Sequence, residues 1–234
     1  MSKCNHFIDL SAHTIKFMSL CTPKSSSTKV INQSSNMVKV AINGFGRIGR
    51  LVFRYAWDDP TLEIVHVNDL CAVESAAYLI KYDSVHGTWD KDVVQDKDGQ
   101  FKVDKKVVTF SQERDYTNID FKSMGVEMVL ECTGKFLKTE LLTPYLTKCG
   151  IKRVVVSAPV KEPEVQNIVL GCNHTILNKE TQIVTNASCT TNCLAPVVKV
   201  MKESFGIKHG CITTVHDVTG TQVRFCSYHI QNNP

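Results

Sequence analysis

Apolar positions along this chain fall into two rhythms. Short runs that are continuous or alternating mark strands, and recurrences at three and four residues mark helices. Val38-Lys39-Val40-Ala41-Ile42 predicts a buried strand, and Arg50-Leu51-Val52-Phe53-Arg54-Tyr55 a helix. Leu62 to Val67 predicts the next strand, and an alanine-containing helix follows from Glu74 to Tyr82. Asp83 to Gly87 reads as a loop. A hairpin is expected around Asp98-Gly99, with Val93-Val94 before it and Phe101-Lys102-Val103 and Val107 to Phe110 after it. Glu127 to Glu131 and Arg153 to Ser157 predict two more strands, with a short helix at roughly Thr139 to Thr147 between them. Thr181 to Thr185 is extended. Leu194, Val197, Val198 and Met201 then recur at helix spacing, with Gly206 as a stop, and Cys211 to Val215 predicts a last strand. Strand and helix alternate from 37 to 187, which predicts an α/β fold with a doubly wound sheet. Residues 1–36 carry no sustained period. They read as a disordered tail or a targeting segment.

The glycines add chemistry to this pattern. Gly44-Phe45-Gly46-Arg47-Ile48-Gly49 follows a strand and opens a helix, where such glycines admit a tight turn and the close approach of a pyrophosphate. Asp69 ends the next strand, twenty residues past Gly49, at the place of an acid that binds a ribose. The bland alternative is a glycine turn with a surface aspartate. Together the elements predict a Rossmann-type dinucleotide domain. A carboxylate there hydrogen-bonds a 2′-hydroxyl and repels a 2′-phosphate, which favours NAD over NADP. Thr133 and Ser157 stand at strand ends, where each could face a cofactor or simply satisfy a turn.

Composition narrows the classes. The net charge is +4, and Lys3, Lys16, Lys24 and Lys29 against Asp9 place +3 of it in the first 36 residues. The remainder is nearly neutral, which argues against a nucleic-acid groove. No apolar run is long enough to span a membrane. The chain has 10 cysteines but no CxxC pair, so neither a zinc ribbon nor a secreted disulfide framework fits, and no metal is expected. A redox or metal protein remains a third reading, resting on the cysteine count.

Ser188-Cys189-Thr190-Thr191-Asn192-Cys193 carries the most pointed chemistry. Cys189 falls at a helix start, where unpaired N–H groups favour a thiolate. His216 ends the run after Cys211 and can serve as the base that an activated thiol needs. The plain alternative is a buried, inert cysteine.

These residues carry a resemblance. VKVAINGFGRIGR, Asn68-Asp69, KYDSVHG at 81–87, Glu113-Arg114-Asp115, ECTG at 131–134, SAP at 157–159, NASCTTNCLAP at 186–196 and TTVH at 213–216 resemble phosphorylating glyceraldehyde-3-phosphate dehydrogenases. The likeness runs from about Met37 to Gln222. It implies an NAD-binding domain over 37–187 and the start of an α+β catalytic domain over 188–234. It implies Cys189 as nucleophile and His216 as base. Gly44, Gly46, Arg47, Ile48, Gly49, Asp69, Arg114 and Ser157 fall on cofactor positions. Ser188, Thr190 and Thr219 fall on positions that contact substrate or phosphate. Cys193 matches a second, non-catalytic cysteine. The implied reaction is the glycolytic oxidation of glyceraldehyde 3-phosphate with inorganic phosphate, through a thioester, to 1,3-bisphosphoglycerate. WDDP, YDSVHGTW, SAPVKE and HDVTGTQ resemble a bacterial subgroup, some of whose members are thought to use arsenate in place of phosphate. The resemblance implies a cytoplasmic homotetramer, or an organelle protein if residues 1–36 are a transit peptide. Past Gln222 the likeness ends. The expectation is an incomplete catalytic domain with weak or no turnover, whose alternative function is NAD binding alone.

Overall fold

The computed structural model describes residues 37–96 and 99–216. The tail, Asp98 of the expected hairpin and Thr219 lie outside the described residues. Two compact units divide the chain, Met1–Val197 and Val198–Pro234.

In the first unit, β1 (Val38–Asn43), α1 (Arg47–Ala56), β2 (Leu62–Asn68) and α2 (Val73–Lys81) come first. A small ladder follows, β3 (Tyr82–Asp83) with β4 (Gly87–Thr88), where only a loop was expected. Then come β5 (Val93–Gln95), β6 (Phe101–Val103), β7 (Lys106–Ser111), β8 (Met128–Glu131), α3 (Thr139–Thr147), β9 (Arg153–Val156), β10 (Gln166–Asn167) and β11 (Ile183–Thr185). The last helix, α4 (Cys189–Phe205), begins in this unit.

The large sheet has the order β10-β11-β9-β8-β1-β2-β7-β6-β5. From β10 to β7 every pairing is parallel, and the β5–β6–β7 edge is antiparallel. β7 is shared, pairing in parallel with β2 and antiparallel with β6. Chain order therefore reverses between β1 and β8, and in a doubly wound sheet a ligand binds at the carboxyl ends of such a switch point.

Period-2 alternation divides the core between the two faces. Val40, Ile42, Met128, Leu130 and Val155 pack with Val52, Phe53, Ala76 and Ile80 of α1 and α2. Ala41, Val129, Val154 and Val156 pack on the other face with Leu142 and Tyr145 of α3 and with Tyr116 and Phe121. Burying each such aliphatic side chain contributes about 1.5–3 kcal/mol, so these two layers fix the strand ends that carry the site.

The second unit departs from expectation. Cys211 to Val215 forms no strand, and these residues are exposed. β-branched residues favour a pleated, half-buried surface only where a neighbouring strand supplies one, and no strand pairing of the described residues reaches them. Gly206 does end α4, at φ 76°, with its N–H on the Lys202 carbonyl.

Candidate functional site

The first site forms where β1 turns into α1. Gly44 adopts φ 92°. A Cβ there would fall 2.5 Å from the Thr133 nitrogen, so only glycine lets the loops after β1 and β8 touch. A Cβ on Gly49 would lie 2.0 Å from the Gly44 carbonyl oxygen, so the helix could not close on the turn. Gly46 is different, because a Cβ there would meet nothing within 4 Å. It lines a cleft of about 480 Å³ together with Asn43, Gly44, Asn68, Asp69 and Thr133. Gly46 is the N-cap of α1, with no side chain capping the first turn and no acid in it. An open glycine and an uncapped helix start suit a pyrophosphate. Arg114 and Lys135 add two cations to the lining. The residues present thus fit a dinucleotide.

Asp69 lines this cleft, as expected, and also ties its walls together. Its Oδ2 accepts the Phe45 N–H at 2.5 Å and its Oδ1 the Cys71 N–H at 3.0 Å. Burial and the Asp69 carboxylate push the Cys71 thiol up to about 12.

Three expected cofactor residues are placed otherwise. Arg47 does not line the cleft. Its Nη1 donates to both oxygens of Asp83, at 3.1 and 3.0 Å. Burial opposes the charge on Asp83, but N–H groups of His86 and Val85 and the Arg47 guanidinium hold its carboxyl well below the usual range. The Lys81–Gly87 segment therefore holds the arginine, a role the sequence reading did not give it. The Ile48 side chain is partly buried and packs against the core rather than lining the cleft. Ser157 lies outside the cleft lining, and its hydroxyl serves the Cys132 thiol, which burial pushes up to about 12.

The second site is the start of α4. Cys189 is the first helical residue and its side chain is exposed. Ser188 Oγ lies 3.9 Å from its sulfur and 3.1 Å from Thr190 Oγ1, so the three expected residues are neighbours. Asn192, which the sequence reading passed over, staples this turn. Its buried Nδ2 donates to the carbonyls of Asn186 at 2.6 Å and Ser188 at 2.9 Å. The turn needs a staple because Ala187 sits at φ 54°, strained for a residue with a Cβ. The Asn186 N–H donates to Val156 O and anchors the turn to the sheet. Position four of the helix, occupied by a side-chain amide, was the available signal. Beside the turn lies a second cleft of about 420 Å³, lined by Lys161, Asn167, Cys172, Ser188 and Thr191 among others. His216 belongs to the second unit, where it is exposed. Among the described residues, no group of three His, Cys, Asp or Glu is placed to hold a metal. Nor is any helix there long and apolar enough to cross a membrane.

Comparison with known proteins agrees with this geometry. Residues 38–139 match the family model described as glyceraldehyde 3-phosphate dehydrogenase, NAD binding domain. Residues 188–232 match that of the C-terminal domain. Glyceraldehyde-3-phosphate dehydrogenase 3 of Nostoc sp. is 49% identical over 187 residues, covering 79% of this chain and 55% of that protein. The Mycoplasma pneumoniae glyceraldehyde-3-phosphate dehydrogenase is 46% identical over 188 residues, 80% of this chain and 55% of its own. The cytosolic enzyme of Leishmania mexicana is 48% identical over 186 residues, again 80% and 55%. The chain thus spans about 55% of the length of these relatives. Their names lend no support to the arsenate variant or to an organelle address. The cofactor of the matched first domain is NAD. With both of the family's domain models matched in order along it, the chain belongs to the glyceraldehyde-3-phosphate dehydrogenase family.

Proposed function

We propose that this chain carries the machinery for NAD-dependent, phosphorylating oxidation of glyceraldehyde 3-phosphate. The observation that supports it is an exposed Cys189 at the first residue of α4, in the same unit as a switch-point cleft shaped for a dinucleotide. Cys189 attacks the aldehyde carbon, and His216 takes the thiol proton. The Cys189 N–H, at the helix start, donates to the developing oxyanion. Ser188, Thr190 and Thr219 hold the substrate and the attacking phosphate. NAD, when bound, supplies the hydride acceptor. Gly44, Gly46, Gly49, Asp69 and Arg114 hold it, with the Ile48 backbone. Inorganic phosphate cleaves the resulting Cys189 thioester and releases the acyl phosphate. The domain boundary falls at 187/188. The protein works in the cytosol as a homotetramer, with small molecules and neither nucleic acid nor membrane as its partners.

A second reading, NAD binding without turnover, has its own support. The cofactor cleft is lined wholly by residues from Asn43 to Phe136, independent of everything after 188. NADH absorbance with substrate, NAD and phosphate separates the two. The first reading requires turnover, however weak, that vanishes in Cys189→Ser. Turnover that survives the substitution overturns the mechanism, and NAD binding with no turnover at all selects the second reading.

A further inference from the structure

We infer that Ser111, Asn68, Asn43 and Glu131 form a one-way hydrogen-bond belt under the cofactor cleft, with Glu131 as a positioning residue for the cofactor. The inference rests on reading that cleft as the NAD site.

The four residues end four adjacent parallel strands. Their registers coincide, with Ser111 paired to Asn68, Asn68 to Asn43, and Asn43 to Glu131. Their side chains then bond sideways across the sheet. Ser111 Oγ donates to Asn68 Oδ1 at 2.7 Å, Asn68 Nδ2 to Asn43 Oδ1 at 2.8 Å, and Asn43 Nδ2 to Glu131 Oε2 at 2.8 Å.

The direction is fixed by backbone. The Glu113 N–H donates to Asn68 Oδ1 at 2.8 Å, and Asn68 Nδ2 donates to the Glu113 carbonyl at 2.9 Å. A flipped Asn68 amide would lose both bonds, so its orientation is set. Asn68 in turn sets Asn43, whose Nδ2 must face Glu131 and the Tyr145 hydroxyl. With its oxygen taken as acceptor, Tyr145 donates to Glu131 Oε2 at 2.8 Å. Glu131 Oε1 accepts the N–H and hydroxyl of Thr133 at 2.8 and 2.5 Å. Each carboxylate oxygen thus receives two donors. Burial raises the Glu131 carboxyl above its ordinary range, and these donors offset only part of the rise.

The belt also reaches past Ser111. The Ser111 proton is committed to Asn68, so its oxygen must accept from His66 Nε2, 2.9 Å away. His66, 4% exposed, is therefore assigned the neutral form with its proton on Nε2, and the one Thr109 hydroxyl proton turns to Nδ1 at 2.7 Å rather than to the Val65 carbonyl that it faces at 2.9 Å. Bonds aligned head to tail polarise one another in a dry interior.

Glu131 is 1% exposed and lies outside the lining of the cleft. It acts through Asn43 and Thr133, which both line the cleft, and so bolts together the two loops that meet at Gly44. Gln in its place must set an N–H₂ against a donor at one end or the other.

The test uses the whole chain and NAD⁺. Nitrogen-15 NMR of the wild type is expected to show the His66 proton on Nε2. A proton on Nδ1 overturns the belt's direction without any variant. By calorimetry, Glu131→Gln should bind NAD⁺ about tenfold more weakly, the scale of one unpaired buried donor. It should also shift the His66 Nε2–H resonance two strands away, which a local packing defect would not do. Wild-type binding matched by the variant, with the resonance unmoved, overturns the inference alone. If the wild type fails to bind NAD⁺, the cofactor reading falls and the inference with it. Should Glu131→Gln not fold, Ser111→Ala takes its place. The belt then requires a moved His66 resonance and weakened binding, and their absence refutes it.

Discussion

A single Cβ separates the three turn glycines by role. Gly49→Ala places a carbon 2.0 Å from the Gly44 oxygen, and Gly44→Ala places one 2.5 Å from Thr133 N in a backbone that disfavours side chains. Both should destabilise the fold by at least about 1–3 kcal/mol, read as a lowered melting midpoint. Gly46→Ala meets only open space. It should melt like the wild type yet bind NAD⁺ more weakly in a titration, because its methyl takes up room a phosphate needs. Asn192→Ala makes a comparable separation at the second site. Without the staple on Asn186 and Ser188 the strained turn loosens, and Cys189 drifts from the helix start that favours its thiolate. Alkylation of Cys189 by iodoacetamide near neutral pH should slow several-fold, with its pH profile moved upward. An unchanged profile would mean the turn holds without the amide.

Elements whose reason for existing is local were legible in the sequence. β1, β2, β8 and β9 are apolar runs because both their faces are covered, and α1 follows from the glycine turn and its periodic face. α3 spans the expected Thr139–Thr147. What depends on neighbours was not legible. The expected strand at Cys211–Val215 had the right residues but no ladder to join among the described residues. The parallel pairing of β7 with β2 gave no signal, because register is a property of two segments. For that reason Asn43 read as an unremarkable polar residue, and Asn68 only as half of the Asn68-Asp69 pair. Arg47 was assigned to the cofactor by motif, yet its partner Asp83 is set by the β3–β4 ladder, which no periodicity announced. Asp83→Asn should free this arginine. Loss of its charge-assisted bonds should lower the melting temperature modestly, and the effect should shrink in salt.

The molecule as a whole should weaken in mild acid. His66 has a folded pKa of about 4 against an ordinary 6.5, because burial disfavours its charge. Between those values the unfolded chain holds the extra proton, so stability rises with pH there. It is complete above about 6.5 and is lost as pH falls toward 4, a span on the order of 3 kcal/mol. Asp83 works in the same direction at lower pH, since its depressed carboxyl must be protonated before its bonds are released. Melting midpoints across this range check the sign, and His66→Gln should flatten the upper part of the curve.

Side chains that pass donors in one direction constrain descent as well as structure. At Ser111, Asn68, Asn43 and Glu131, exchanging one member sets like against like at a buried joint, whereas exchanging neighbours in concert can restore the match. A lineage changing one codon at a time passes through a weaker binder before it reaches any alternative. The floor of the cleft is in that sense a ratchet, easy to inherit and hard to revise.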